Sequence, residues 1–350
     1  SGAAGAARLR CSYLTAAARG PWPAPAPAGS GHVFFAGYET GSVWAFDAGS
    51  GEPLGEFPGH KKAITALRCW QASASEVEAC DDSNEATGGQ GTAARLASAS
   101  LDRTVRVWRP PPLGAAAGAG AGGAAGQCLF SLDFGARNPV ADFALLPSGG
   151  LLACCWDGML RHIDMHGRRC ANLLQGSSAG LRAVCCPDVP AEGGLVQVFV
   201  GTEDAHIVGV SIAQDGELQP RHSWKAHFAQ VNALRAYKAW LVSASDDRSI
   251  RIWTADRGEL LEEFRGHAGA VLALDVSPQS RLVWSGSRDW TIRSWDLGEI
   301  ENRVRERESM ARLDAESASE EARMRLALKN VKKKKPKPKK AAGPGASKKG

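Results

Sequence analysis

Three stretches of this chain carry the residue types of a nucleophilic hydrolase at one repeated spacing. LASASLDRTVRVW (Leu96–Trp108), LVSASDDRSIRIW (Leu241–Trp253) and LVWSGSRDWTIRSW (Leu282–Trp295) each place a Ser ahead of an Asp, six residues before a closing Trp. A His precedes each copy, at His60, His227 and His267. A Ser-His-Asp triad is needed once, with its Ser exposed beside an oxyanion hole. Here the set recurs three times and no nucleophile elbow accompanies it. No phosphate loop, metal constellation or paired-carboxylate site stands elsewhere, so no catalytic residue, metal or cofactor is expected. Repetition at fixed spacing points to a structural use.

The elements that must position these residues follow from the period. Taking Phe46, Trp108, Ile163, Val210, Trp253 and Trp295 as equivalent, the intervals are 62, 55, 47, 43 and 42 residues. The last two have the length of a four-stranded repeating unit, and the longer ones contain insertions. One insertion, between Cys69 and Ala94, includes DDSNEATGGQG; the other, RPPPLGAAAGAGAGGAAG, runs from Arg109 to Gly126. Both have too little apolar content to order themselves and read as loops. In SIRIW, Ile250 and Ile252 alternate with Ser249, Arg251 and Trp253, the period of a strand. The turn DDRS joins this strand to LVSAS, and six such hairpins in series predict an all-β array.

From Val33 to Leu297 the chain resembles the WD-repeat family of β-propellers, through the Gly-His or Ala-His pairs at His60, His227 and His267 and the Asp-x5-Trp endings at Trp108, Trp253 and Trp295. The resemblance implies a propeller of six or seven blades, with a buried hydrogen-bonded set in each matching blade. Its members would be His60, Ser98, Asp102 and Trp108; His227, Ser243, Asp247 and Trp253; and His267, Ser285, Asp289 and Trp295. Such a chain suits their chemistry, because Trp only donates, Ser both donates and accepts, and a carboxylate accepts. In the other repeats Asp157 precedes Ile163, Asp204 precedes Val210, and Thr40 and Phe46 stand at the Asp and Trp positions, so packing alone is expected to hold those blades. The resemblance also implies partner binding at the blade tips, just before the turn Asp: Leu101, Trp156, Glu203, Asp246 and Arg288, with Trp290 beside them.

Nine cysteines include the neighbours Cys154–Cys155 and Cys185–Cys186 on expected strands, where adjacent residues face opposite sides. Without a Cys-x2-Cys and His arrangement they read as reduced core thiols of a cytoplasmic or nuclear protein. No apolar run of membrane-spanning length and no secretory signal is present. Four segments are expected: a leader over 1–30, the propeller over 31–297, a charged helix over 298–331 and a disordered basic tail over 332–350. The leader supplies one candidate closing strand, Leu9–Leu14, assigned to the outside of the last blade. The Pro- and Ala-rich TAAARGPWPAPAPAGSG after it cannot supply another, so an outer strand of the first blade is expected to be missing. With Ser rather than Met at position 1, this predicts an upstream continuation that completes a seventh blade.

Of the net charge of +5, residues 297–350 contribute +8 and the rest −3, so the propeller is not a basic nucleic-acid platform. The tail gathers Lys332, Lys333, Lys334, Lys335, Lys337, Lys339 and Lys340, a cluster that suits weak contact with a polyanion or an import receptor. The expected function is a monomeric, non-enzymatic scaffold or adaptor in a multiprotein complex, with no membrane partner. Two alternatives are a substrate-recognition subunit of a ubiquitin ligase and a ribosome-biogenesis or RNA-associated factor. The first is poorly served by the TADR and DLGE that follow Trp253 and Trp295; the second rests on the tail alone.

Overall fold

The structure, a computed structural model, describes residues 11–15, 33–47, 53–71, 94–109, 126–133, 139–146, 150–164, 169–175, 179–187, 195–212, 218–277 and 279–333. They form six antiparallel sheets. The first contains β1 (Cys11–Thr15), β2 (Val33–Tyr38), β3 (Val43–Asp47) and β4 (Pro53–Phe57); the second, β5 (Ile64–Gln71), β6 (Ala94–Ser100), β7 (Thr104–Arg109) and β8 (Gln127–Asp133). The third holds β9 (Val140–Leu145), β10 (Leu151–Cys155), β11 (Met159–Asp164) and β12 (Arg169–Gln175). The fourth holds β13 (Leu181–Cys185), β14 (Val196–Thr202), β15 (His206–Ile212) and β16 (Leu218–Lys225). The fifth holds β17 (Val231–Tyr237), β18 (Trp240–Ser245), β19 (Ser249–Thr254) and β20 (Leu260–Arg265). The sixth has three strands, β21 (Val271–Ser277), β22 (Leu282–Ser287) and β23 (Ile292–Asp296).

Each sheet is a meander, and the first strands of successive sheets lie side by side, β1 against β5, then β9, β13, β17 and β21. Apolar side chains fill the spaces between sheets. Phe35, Val43 and Phe57 of the first sheet pack with Ile64, Leu67, Leu96 and Trp108 of the second. Between the fourth and fifth, Ala183, Phe199 and Ile207 meet Val231, Leu234, Leu241 and Trp253. Adjacent Cys154 and Cys155 show the strand alternation, since Cys154 belongs to the layer between the third and fourth sheets and Cys155 to that between the second and third. Both are buried and neither forms a disulfide, as is true of Cys185, whose thiol burial pushes up to about 12.

The leader strand is placed differently from the expectation. Cys11–Thr15 pairs with Val33–Tyr38, as the innermost strand of the first sheet, and not with the last sheet. The first sheet is therefore the four-stranded one and the sixth is short of a strand. A strand joined to β2 by a short segment closes a far smaller loop there than at β23, and sequence neighbours pair preferentially.

The hairpins turn in one way throughout. After the turn position, Gly41, Arg103, Gly158, Ala205, Arg248 and Trp290 all take positive φ, between 66° and 90°. A bond from this residue to the carbonyl three back closes the turn, as in Arg248 N–H to Ser245 O at 3.2 Å. This is a type I turn followed by a left-handed residue, a common three-residue hairpin loop. Only two of the six turns use glycine for it.

Packing does not act alone in the sheets that lack the Trp. In the third, Arg161 grips Asp157 with both amino groups, at 3.0 and 2.6 Å. In the fourth, Thr202 Oγ1 donates to Asp204 and receives the His206 amide at 3.0 Å. A partner from the same hairpin, four residues after the acid in the third sheet and two before it in the fourth, takes over where the distant His is missing.

Residues 296–350 form a separate unit. Helix α1 spans Gly298–Lys333, with Glu299 and Glu301 in its first turn, where the helix dipole favours negative charge. Asp296 Oδ1 caps it by accepting the Gly298 N–H at 2.7 Å. Lys332 and Lys333 thus belong to the helix rather than to a tail, while Lys334, Lys335, Lys337, Lys339 and Lys340 lie outside the described residues.

The turn geometry makes a prediction at exposed Arg248. Arg248→Gly relieves a left-handed residue and should raise the unfolding free energy by about 0.5–1 kcal/mol, after the extra chain entropy of glycine. Arg248→Val should lower it, as read from chemical denaturation midpoints.

Candidate functional site

The three Ser-His-Asp-Trp sets form three copies of one buried network. In the second sheet, His60 Nδ1 lies 3.0 Å from Asp102 Oδ2 and His60 Nε2 2.7 Å from Ser98 Oγ, which accepts the Trp108 indole N–H at 2.8 Å. In the fifth, the same contacts measure 2.9, 2.7 and 2.8 Å for His227, Ser243, Asp247 and Trp253. In the sixth they are 2.9, 2.8 and 2.8 Å for His267, Ser285, Asp289 and Trp295. One set of proton positions serves every member: the indole N–H donates to Ser, the Ser O–H to His Nε2, and His Nδ1–H to Asp.

This arrangement has no nucleophile to offer. Ser98 and Ser243 are 0% exposed and Ser285 is 1% exposed. Each hydroxyl already receives an indole and faces an imidazole, so no substrate carbonyl reaches it. Each set instead ties together the loop before the first strand (His), the second strand (Ser), the turn (Asp) and the third strand (Trp).

Two further residues of each set escape the sequence reading. The hydroxyl two positions after the Asp, on Thr104, Ser249 or Thr291, donates to Asp Oδ1 at 2.6 Å in all three copies. The Ser two positions before it, Ser100, Ser245 or Ser287, accepts the Asp amide at 3.1 Å and donates to the loop carrying the His. Their signal was present in SASLDRT, SASDDRS and SGSRDWT. Burial pushes the Asp102 and Asp247 carboxyls up, but hydrogen bonds from the His, the hydroxyl and the following amide outweigh it and hold both far below the usual carboxylate range. Thr291 does most to lower Asp289 in the same direction.

The expected partner-binding positions lie on the turns at the same ends of the sheets. Trp290 is 93% exposed and Trp156 37%. Glu203 and Arg288 are exposed, while Leu101 and Asp246 are half-buried. They are joined by residues that the sequence did not single out. The Arg182 guanidinium stacks 4.5 Å from the Trp156 ring centroid, pairs with Glu203 at 2.8 Å and donates to Gln230 Oε1 at 3.1 Å. Gln230 and Asn232 donate in turn to the two oxygens of Asp246, at 2.8 and 2.7 Å, and Asn232 also donates to Val271 O at 2.8 Å. A polar chain thus crosses from the third sheet to the sixth. It borders a cavity of about 590 Å³ lined by Trp156, Arg182, Asn232, Leu272, Trp284 and Arg288, among others. Among the described residues no cluster of His, Cys, Asp or Glu is arranged to hold a metal ion. No described helix is long and apolar enough to cross a membrane.

A serial array of antiparallel meanders, with a buried network in three of the hairpins and a variable rim, defines a protein of the β-propeller class. The family model described as WD domain, G-beta repeat matches residues 51–109, 218–254 and 258–296. An uncharacterized WD repeat-containing protein of Schizosaccharomyces pombe is 30% identical over 127 residues, 36% of this chain and 23% of that protein. DENN domain and WD repeat-containing protein SCD1 of Arabidopsis thaliana is 24% identical over 270 residues, 69% of this chain and 21% of that one. Eukaryotic translation initiation factor 3 subunit I of Neurospora crassa is 46% identical over 57 residues, 16% of each chain. The chain spans less than a quarter of the length of each of these relatives. The second, fifth and sixth sheets, which the matched segments cover, carry the motifs at equivalent places, so these segments are WD repeats.

The depressed carboxylates give the network an acid signature. A group whose folded-state pKa lies below its unfolded value stabilises fully above the unfolded value, near 4, and loses that contribution as pH falls through the folded one. Unfolding free energy should therefore decline below about pH 4. Asp247→Asn should be less stable at pH 7 and show a shallower acid decline, measured by urea denaturation across pH.

Proposed function

We propose that this WD-repeat protein is a non-catalytic scaffold that binds other proteins across its turn rim, through Leu101, Trp156, Glu203, Asp246, Arg288 and Trp290. WD-repeat domains generally serve as interaction scaffolds rather than catalysts, and one relative is by name a subunit of a translation initiation factor.

The observation that carries the reading is Trp290. This indole is 93% exposed on a residue with φ 66°, a conformation that costs a non-glycine residue about 1–2 kcal/mol. Two other turns use glycine at this point, so the fold does not need the Trp. A large apolar ring held out at a cost in stability is explained by a partner that covers it. Trp156 extends the same surface, held by the Arg182 stack and ready to give its free face to a partner. Arg288 and Glu203 supply charges of both signs around these rings, the mixture found at interface centres and rims.

Trp290→Gly separates binding from folding. It should raise the unfolding free energy by about 0.5–1 kcal/mol and lower recovery of co-purifying proteins at least tenfold, scored by quantitative mass spectrometry. Trp156→Ala with Arg288→Ala should lower recovery likewise while the unfolding midpoint stays within a few degrees. Unchanged recovery in all these variants rules out the rim as the binding surface.

A further inference from the structure

The innermost strands repeat closely enough that one sheet serves as a control for another. Pairing with the second strand sets the frame, Arg68 standing opposite Ala97 and Arg235 opposite Val242. Two residues earlier, Ala66, Asp142, Ala183, Ala233 and Ala273 share one place in the second to sixth sheets. Arg68 of β5 and Arg235 of β17 are thus equivalent. Each donates to the carbonyl of the Leu before it, Leu67 O and Leu234 O, both at 2.8 Å. They border one cavity of about 260 Å³, together with Thr65, Asp142, Arg182 and Asp275.

The two arginines differ in what neutralises them. Arg68 gives its other amino group to Asp142 Oδ1 at 2.9 Å, and the Phe143 and Val184 amides hold that carboxylate at 2.9 and 3.4 Å. Asp142 comes from the following sheet, at the place where the four other sheets compared have Ala. The sheet that follows Arg235 has Ala273 there, opposite Gly286, and these small residues leave the space open. Among the described residues the one polar contact of Arg235 is its bond to Leu234 O, and Asp275 and Arg68 act on it only from beyond ion-pair distance. Burial, with Arg68 next, pulls its guanidinium below the ordinary value. A guanidinium does not shed its proton, so a half-buried one with most of its donors unused calls for an acceptor.

We propose that this cavity binds a small organic carboxylate, whose head group takes on Arg235 the place that Asp142 takes on Arg68. The guanidinium fork donates two parallel N–H bonds to the two carboxylate oxygens. Asp142 and Asp275 on the same walls repel a multiply charged anion, which favours a single carboxylate over a phosphate. Ala66, Ala141, Ala233 and Leu272 offer an apolar wall to a short aliphatic body. The site lies on the innermost strands and does not depend on the role of the turn rim.

The test uses the full chain with butyrate as probe, observed by saturation-transfer NMR. The expected result is saturable binding, with none of butyramide, which has the same shape without the charge. Arg235→Met should weaken butyrate binding at least tenfold. Ala273→Asp gives Arg235 the partner that Arg68 already has, so it should abolish butyrate binding and raise the thermal unfolding midpoint. Because this variant adds a charge pair and removes none, it decides the matter where Arg235→Met fails to fold. No saturation up to about 10 mM, equal binding of butyramide, or butyrate binding that survives Ala273→Asp overturns the proposal. So does a lowered midpoint in Ala273→Asp, or inorganic phosphate displacing butyrate at a lower concentration than butyrate needs to bind.

Discussion

A Ser hydroxyl with 0% exposure, held between an indole and an imidazole, is the interaction on which each matching sheet depends. An unpaired polar group buried there would cost about 1–3 kcal/mol, so every donor and acceptor around it must find its place together. The four positions concerned lie in a loop, two strands and a turn that are far apart in sequence. Pairing them fixes the register of the hairpin and the seat of the loop in one step, because a slip of one residue would turn the Ser or the Trp to the opposite face. The depressed Asp carboxyl marks the charged end of the chain of bonds. Where the set is incomplete a shorter device takes over, an Arg161–Asp157 clamp or a Thr202–Asp204 contact, each confined to one turn.

This arrangement divides labour along each hairpin. Residues beneath the turn are held by the network and repeat from copy to copy, whereas those at its tip differ: Leu101, Trp156, Glu203, Asp246 and Arg288. Because the network carries the register, the tips are free to vary in size and charge, and even to hold Trp290 in a costly conformation. The stack of Trp156 on Arg182 and the relay through Gln230, Asp246 and Asn232 then brace the rim across sheets.

The class of fold and the three buried sets were legible in the sequence because both depend on residue type at fixed spacing, which a linear chain displays. The Thr and Ser partners of the Asp stand at equally fixed spacing, but a hydroxyl two residues from an acid is a signal only through its recurrence in every copy. Arg182, Gln230 and Asn232 were not legible. Their partners come from neighbouring repeats, and nothing in the spacing within one repeat reports on the next. The leader strand was recognisable as a strand but assigned to the wrong sheet, because alternation gives the faces of a strand and not its neighbour. Likewise the sequence could not separate Ile292 from Ile250. They hold the same place in the repeat, and only the folded chain shows that Ile250 is covered and Ile292 is not.

The central claim is that the Ser, His, Asp and Trp of each set form a structural unit. A double-mutant cycle of Ser243→Ala and Trp253→Phe, scored by unfolding free energy, tests it most directly. Removing either partner leaves the other unsatisfied, so the second removal should cost less than the first, with a coupling of about 1–2 kcal/mol. Effects that add to within about 0.3 kcal/mol would mean that the hydroxyl and the indole do not depend on each other, and would contradict the account.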